Sequence, residues 1–121
     1  MKTIFDVIDT LRTALLPTGL TIYRDVKPES QTGACIVLTY MPRKKTNYNS
    51  INDIIILLYL PKINGMADSK NIKTYCNQIA DIVEPLKDTG VIFYNELLEP
   101  DTTNVSTNYT VTKYQFYTIN Y

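Results

Sequence analysis

The stretch Asp53-Ile-Ile-Ile-Leu-Leu-Tyr-Leu60 constrains the fold more than any other part of the chain. Its seven consecutive apolar residues, Ile54 to Leu60, lie between a polar run from Asn47 to Asp53 and Pro61. So short a run, rich in β-branched and aromatic side chains, predicts a strand rather than a helix. Polar residues do not alternate within it, so both of its faces should be covered. One face would take the chain's helices. The other needs a cover that a chain of 121 residues is hard pressed to supply, which is a first pointer to a partner.

That length predicts one domain, residues 1–121, with a core large enough to need no staples. Twelve basic and twelve acidic side chains cancel. A neutral chain has no global field to draw in nucleic acid or an anionic membrane, and little charge repulsion to keep copies apart. Cys35 and Cys76 each sit in an apolar context, one in a predicted strand and one on the apolar face of a predicted helix. Reduced core thiols are the expectation. Asp6 and Asp9 interrupt any apolar leader at the N-terminus, and no apolar run approaches a membrane span. The expected compartment is the cytoplasm.

In chain order, the spacing of Ile4, Val7, Ile8, Leu11 and Leu15 predicts an amphipathic helix from about Thr3 to Leu16, ended by Pro17-Thr18-Gly19. A short strand from Leu20 to Tyr23 and a polar connection from Asp25 to Gly33 follow. Ala34 to Tyr40 is the second strand, which Met41-Pro42 should stop because proline lacks the ladder donor. Arg43-Lys44-Lys45 then opens a loop to about Asn52. Loops of such length in compact domains are functional or mobile, which makes it a candidate contact site. Beyond the Ile54–Leu60 strand, Asp68 or Ser69 can cap a second helix whose apolar face is Ile72, Tyr75, Cys76, Ile79, Ile82, Val83 and Leu86. Pro85 loosens its end. Val91 to Leu98 is the fourth strand, Glu99 to Asn108 a polar connection, and Tyr109 to Tyr121 a long last strand. In that last strand, either a bulge near Lys113 to Gln115 switches the apolar face, or both faces are partly covered. The order is α-β-β-β-α-β-β. It predicts a two-layer α+β domain: a mainly antiparallel sheet of about five strands with two helices packed on one face.

The residue types argue against catalysis. Histidine is absent, so the commonest general base and metal ligand is missing. The two cysteines are far apart in sequence, and four glycines build no phosphate-binding loop. The carboxylate pairs Asp6 with Asp9, Asp25 with Glu29 and Glu96 with Glu99 read as solvated surface. No cofactor or metal is expected. The basic run Arg43-Lys44-Lys45, flanked by Tyr40 and Tyr48, is too small for a nucleic-acid site; it reads either as a solvated loop or as a contact with a protein partner.

In order and local texture the chain resembles the tail-terminator, or tail-completion, proteins of long-tailed bacteriophages. The resemblance runs from the opening helix ending in Leu15-Leu16-Pro17, through Thr21-Ile-Tyr23, Asp25-Val-Lys-Pro28 and Cys35-Ile-Val-Leu-Thr-Tyr40. It continues in Ile54 to Leu60, the helix from Asn71 to Leu86 and the aromatic strand Tyr114 to Tyr121. It implies a structural protein of the virion, assembled in the host cytoplasm. Such a protein caps the tail tube as a homo-oligomeric ring, commonly of six subunits, stops its polymerisation and offers the surface to which the head docks. The implied partners are other copies of the chain, the tube protein and a head-side connector protein. No catalytic motif defines the family, so no functional residue is carried over. The expected interface draws on the two segments singled out above: Arg43, Lys44, Lys45 and Tyr48 in the loop, and Tyr114, Phe116, Tyr117 and Tyr121 in the last strand. The rival reading is a ferredoxin-like α+β binding or regulatory module that dimerises through its sheet.

Overall fold

A computed structural model describes residues 3–45, 50–89, 101–104 and 108–120. Helix α1 spans Ile4–Leu15 and buries Val7, Ile8, Leu11 and Leu15, the stripe that its spacing predicts. Thr3 is its N-cap: the Thr3 hydroxyl accepts from the Asp6 N–H at 3.3 Å, and the Asp6 carboxylate accepts from the Thr3 N–H at 2.8 Å. This reciprocal capping box satisfies two donors that a helix end otherwise leaves bare. Replacing Thr3 with alanine removes one half of it. The expected cost is about 1 kcal/mol, read as a lower urea midpoint with an unchanged m-value. A 3₁₀ turn, Leu16–Thr18, and Gly19 at φ +75° end the helix. Helix α2 runs from Ser69 to Val83 behind an Asp68 cap, and the chain tightens into 3₁₀ geometry over Glu84–Thr89, where Pro85 removes a helical donor.

The strands are β1 (Thr21–Arg24), β2 (Cys35–Lys45), β3 (Ser50–Pro61), β4 (Asp101–Asn104) and β5 (Tyr109–Asn120). They lie in the order β1-β2-β3-β5-β4. The α+β class stands, but the sheet is mixed, which corrects the expectation of a mainly antiparallel one. β1 runs parallel to β2, with Thr21 opposite Cys35 and Arg24 opposite Leu38. The other described pairings are antiparallel. Parallel neighbours need a connection that returns along the sheet. Residues 25–34 make that return on the side away from the helices, tied down where the Tyr23 hydroxyl bonds the Gln31 amide and the Tyr109 hydroxyl donates to the Gln31 carbonyl at 3.0 Å.

Three further expectations change. Pro42 does not stop β2, which continues to Lys45. The Leu38 carbonyl accepts the Asp25 N–H on the outer side of β2, so the two-residue alternation turns the Tyr40 and Pro42 backbone groups outward as well. A proline on that side takes no donor from the ladder with β3. The register then shifts between Pro42 and Lys44, leaving Arg43 as the extra residue of a bulge. The expected loop from Arg43 to Asn52 is therefore strand at both ends. In β5 no bulge switches the faces: its register with β3 is unbroken from Ser50↔Asn120 to Pro61↔Tyr109. Finally, β4 occupies residues that read as a polar connection, while the expected strand Val91 to Leu98 lies outside the described residues.

The register sorts the sheet into two faces. Ile36, Leu38, Ile54, Ile56, Leu58 and Tyr114 meet α1 and α2 and form the main core with Val7, Ile8, Leu11, Ile79 and Val83. The opposite face carries Cys35, Val37, Ile55, Leu57, Tyr59, Val111 and Tyr117, and neither helix covers it. Ile54–Leu60 is thus a central strand with two apolar faces, as its lack of alternation requires. Both cysteines are free, and they lie on opposite sides of the sheet.

Candidate subunit and partner interface

The structure divides the expected interface residues. Tyr114 is not an interface residue. It is 1% exposed, stands opposite Ile56 in the core, and its hydroxyl donates to the Cys76 carbonyl of α2 at 3.2 Å. Phe116 stands opposite Ile54 in the register. Tyr117 is half-buried on the face away from the helices, opposite Asp53. Lys44 and Lys45 pair with Ile51 and Ser50 at the far end of the sheet, with the bulged Arg43 beside them. Ser50 in turn pairs with Asn120, so the basic run and the end of β5 share that end. Tyr48 and Tyr121 lie outside the described residues.

Several exposed groups beside these escaped sequence reasoning. Phe5, half exposed, lies off the α1 stripe. Its ring meets Tyr40 edge-on at 5.8 Å between centroids, and the Arg24 guanidinium stands 5.5 Å from its centroid. Arg24 is in β1 and Tyr40 in β2, so this cation–aromatic stack flanks the outer edge of β2. Met41, the next residue along that edge, is also exposed. An aromatic off the apolar stripe of an amphipathic helix was the available signal.

A second exposed patch lies at the opposite end of β3. Ile63 and Met66 exchange backbone hydrogen bonds of 2.9 Å in each direction across Asn64 and Gly65, both at positive φ (52° and 76°). This is a two-residue type I′ hairpin, and Asn-Gly between apolar residues is its sequence signal. The turn holds Ile63 and Met66 out in solvent at 56% and 71% exposure. Exposed apolar side chains thus occur both beside β2 and on the hairpin at the opposite end of β3.

Among the described residues, burial also perturbs two titratable groups. Burial pushes the Cys35 thiol above its ordinary value, with Lys27 pulling weakly the other way. Burial, then the interaction with Cys76, pushes the Tyr114 phenol up. The unfolded chain ionises these groups near 9.0 and 10.0, while the native protein holds both protons to higher pH. Their contribution to stability is therefore whole below pH 9 and is lost as pH rises, at up to about 1.4 kcal/mol per pH unit for each group. Urea midpoints should fall from about pH 9 upward. The onset should move toward pH 10 in Cys35→Ala, and the remaining slope should become shallower when Tyr114→Phe is added.

Among the described residues no three His, Cys, Asp or Glu side chains gather to hold a metal, and no helix is long and apolar enough to cross a membrane. No protein-family model matches the chain, and no curated protein matches it either.

Proposed function

We propose that this protein is a structural component of a bacteriophage or prophage tail, which caps the tail tube as a ring, stops its polymerisation and presents a docking surface to the head. The observation that supports this reading is that exposed apolar side chains occur at two unlike places, beside β2 and on the Ile63–Met66 hairpin. A closed ring is built from heterologous contacts, in which one surface of each subunit meets a different surface of the next. Phe5 and Met41 flank the outer edge of β2, and Ile63 and Met66 crown the hairpin at the other end. A neutral chain lets such surfaces approach without long-range repulsion. Partners of the ring would be other copies, the tube protein and a head-side connector.

The alternative, a ferredoxin-like module that dimerises through its sheet, draws on the apolar face on which neither helix packs, where Leu57, Tyr59 and Tyr117 are half-buried. A two-fold dimer needs one self-complementary patch and makes no use of the second. Electron microscopy of the protein mixed with its tube protein tests the proposal. Tubes of limited length with a closed end are expected, and tubes that grow without limit in its presence would overturn it. A stable dimer at all concentrations, with no effect on tubes, is the result the alternative expects.

A further inference from the structure

We propose that the outer edge of β2 beyond Leu38, residues Thr39–Lys45, is a docking site for an extended acidic segment of a partner protein, which adds to the sheet as a short strand. The proposal takes Arg43–Lys45 as a contact surface, as the tail reading does, but requires no ring. β1 follows β2 only as far as Leu38, and Asp25, at φ +70°, then turns the chain away. No described strand pairs with β2 on that side from Thr39 onward. The Tyr40 N–H and the Tyr40 and Pro42 carbonyls face outward there by the alternation set at Leu38. An incoming strand would bond these groups.

The edge also selects its occupant. Pro42 and the bulge at Arg43 interrupt the ladder, which excludes long pairing with an arbitrary apolar strand, another copy's edge included. Three basic residues in succession, Arg43–Lys45, belong to this edge of a chain with no net charge, and Arg24 stands over Phe5 beside it. Thr39–Lys45 contains no acid. Two carboxylates lie by this strand among the described residues: Asp25, which accepts from the Thr39 hydroxyl at 3.4 Å, and Asp53, opposite Met41 on the inner side. A partner strand bearing carboxylates gains charge-assisted bonds that a neutral strand lacks.

The probe is a short fluorescein-labelled peptide of alternating valine and glutamate, followed by anisotropy with the intact protein. Binding should weaken as salt rises from about 50 to 200 mM. It should fall at least about tenfold in the combined Arg43→Ser, Lys44→Ser, Lys45→Ser variant, whose thermal unfolding serves as the folding control. It should fall as far when alternate peptide nitrogens are methylated, a change that leaves the charge and the protein untouched. Amide exchange should show protection at Tyr40. Equal binding of a valine–glutamine peptide, of the methylated peptide or of a single-stranded oligonucleotide of the same charge would overturn the proposal, as would no binding at all. None of these outcomes bears on whether tubes are capped.

Discussion

Truncating Tyr114 to alanine will cost about 3–5 kcal/mol of folding stability, a large part of what a domain of this size possesses. Tyr114 is the largest of the fully buried side chains among the described residues. It stands opposite Ile56 in the register and bonds the Cys76 carbonyl, so it joins the central strand to α2. Removing the ring leaves a cavity between sheet and helix that neither layer can close without moving the other. Tyr114→Phe keeps the ring and loses only the hydrogen bond, for an expected cost near 1 kcal/mol. Urea unfolding of the two variants separates the terms. Were Tyr114 an interface residue, the alanine variant would unfold like the wild type and fail only in assembly. A loss below about 1 kcal/mol would contradict the core assignment.

That residue also shows where sequence reasoning runs out. An aromatic in a strand presents the same ring to a core as to a neighbouring subunit, and only the pairing register decides which. The register cannot be read from Tyr109–Tyr121 itself, because Lys113 and Gln115 interrupt the apolar residues of one face and suggest a bulge that does not exist. The apolar stripes of α1 and α2 were legible because a 3.6-residue period survives any tertiary context. Ile54–Leu60 was legible because seven apolar residues admit few alternatives. Pro42 was misread for a definite reason. Its missing donor matters only on the paired side of a strand, and which side that is depends on β1, a non-local fact. The parallel pairing of β1 was hidden in the same way, since residues 25–34 look polar whether they form a hairpin loop or a return along the sheet. β4 was missed because its two threonines carry strand propensity without an apolar pattern. Of the expected interface residues, Tyr114 went wrong through its register, whereas the exposed neighbours Phe5, Ile63 and Met66 were visible in local spacing and turn chemistry.

The two faces of the central strand should respond oppositely to a carboxylate placed one residue apart. Ile56→Asp puts an acid at a site that is 0% exposed, between Leu38 and Tyr114 and beneath the helices. No cation is among the residues that form this core. An unpaired charge there either stays ionised at a cost of several kcal/mol or takes up a proton and still forfeits the isoleucine packing. The expected loss of about 4 kcal/mol or more takes a large part of the stability of a domain of this size, read as a much lower urea midpoint at any pH above about 5. Leu57→Glu changes the neighbouring residue, which points to the face that no helix covers. Leu57 is half-buried, and its partner across the β5 ladder is the exposed Lys113, so the new carboxylate gains a cross-strand cation and access to water. Its cost should be about 1–2 kcal/mol, small enough to keep the native circular dichroism and a cooperative urea transition. This second variant therefore isolates assembly from folding. If the face around Leu57 packs against another copy, Leu57→Glu will hold the protein monomeric in sedimentation while its far-UV spectrum is unchanged. If the contacts of a ring run instead through the edge of β2 and the Ile63–Met66 hairpin, the same variant will assemble like the wild type, and the sheet-to-sheet dimer reading falls with that result.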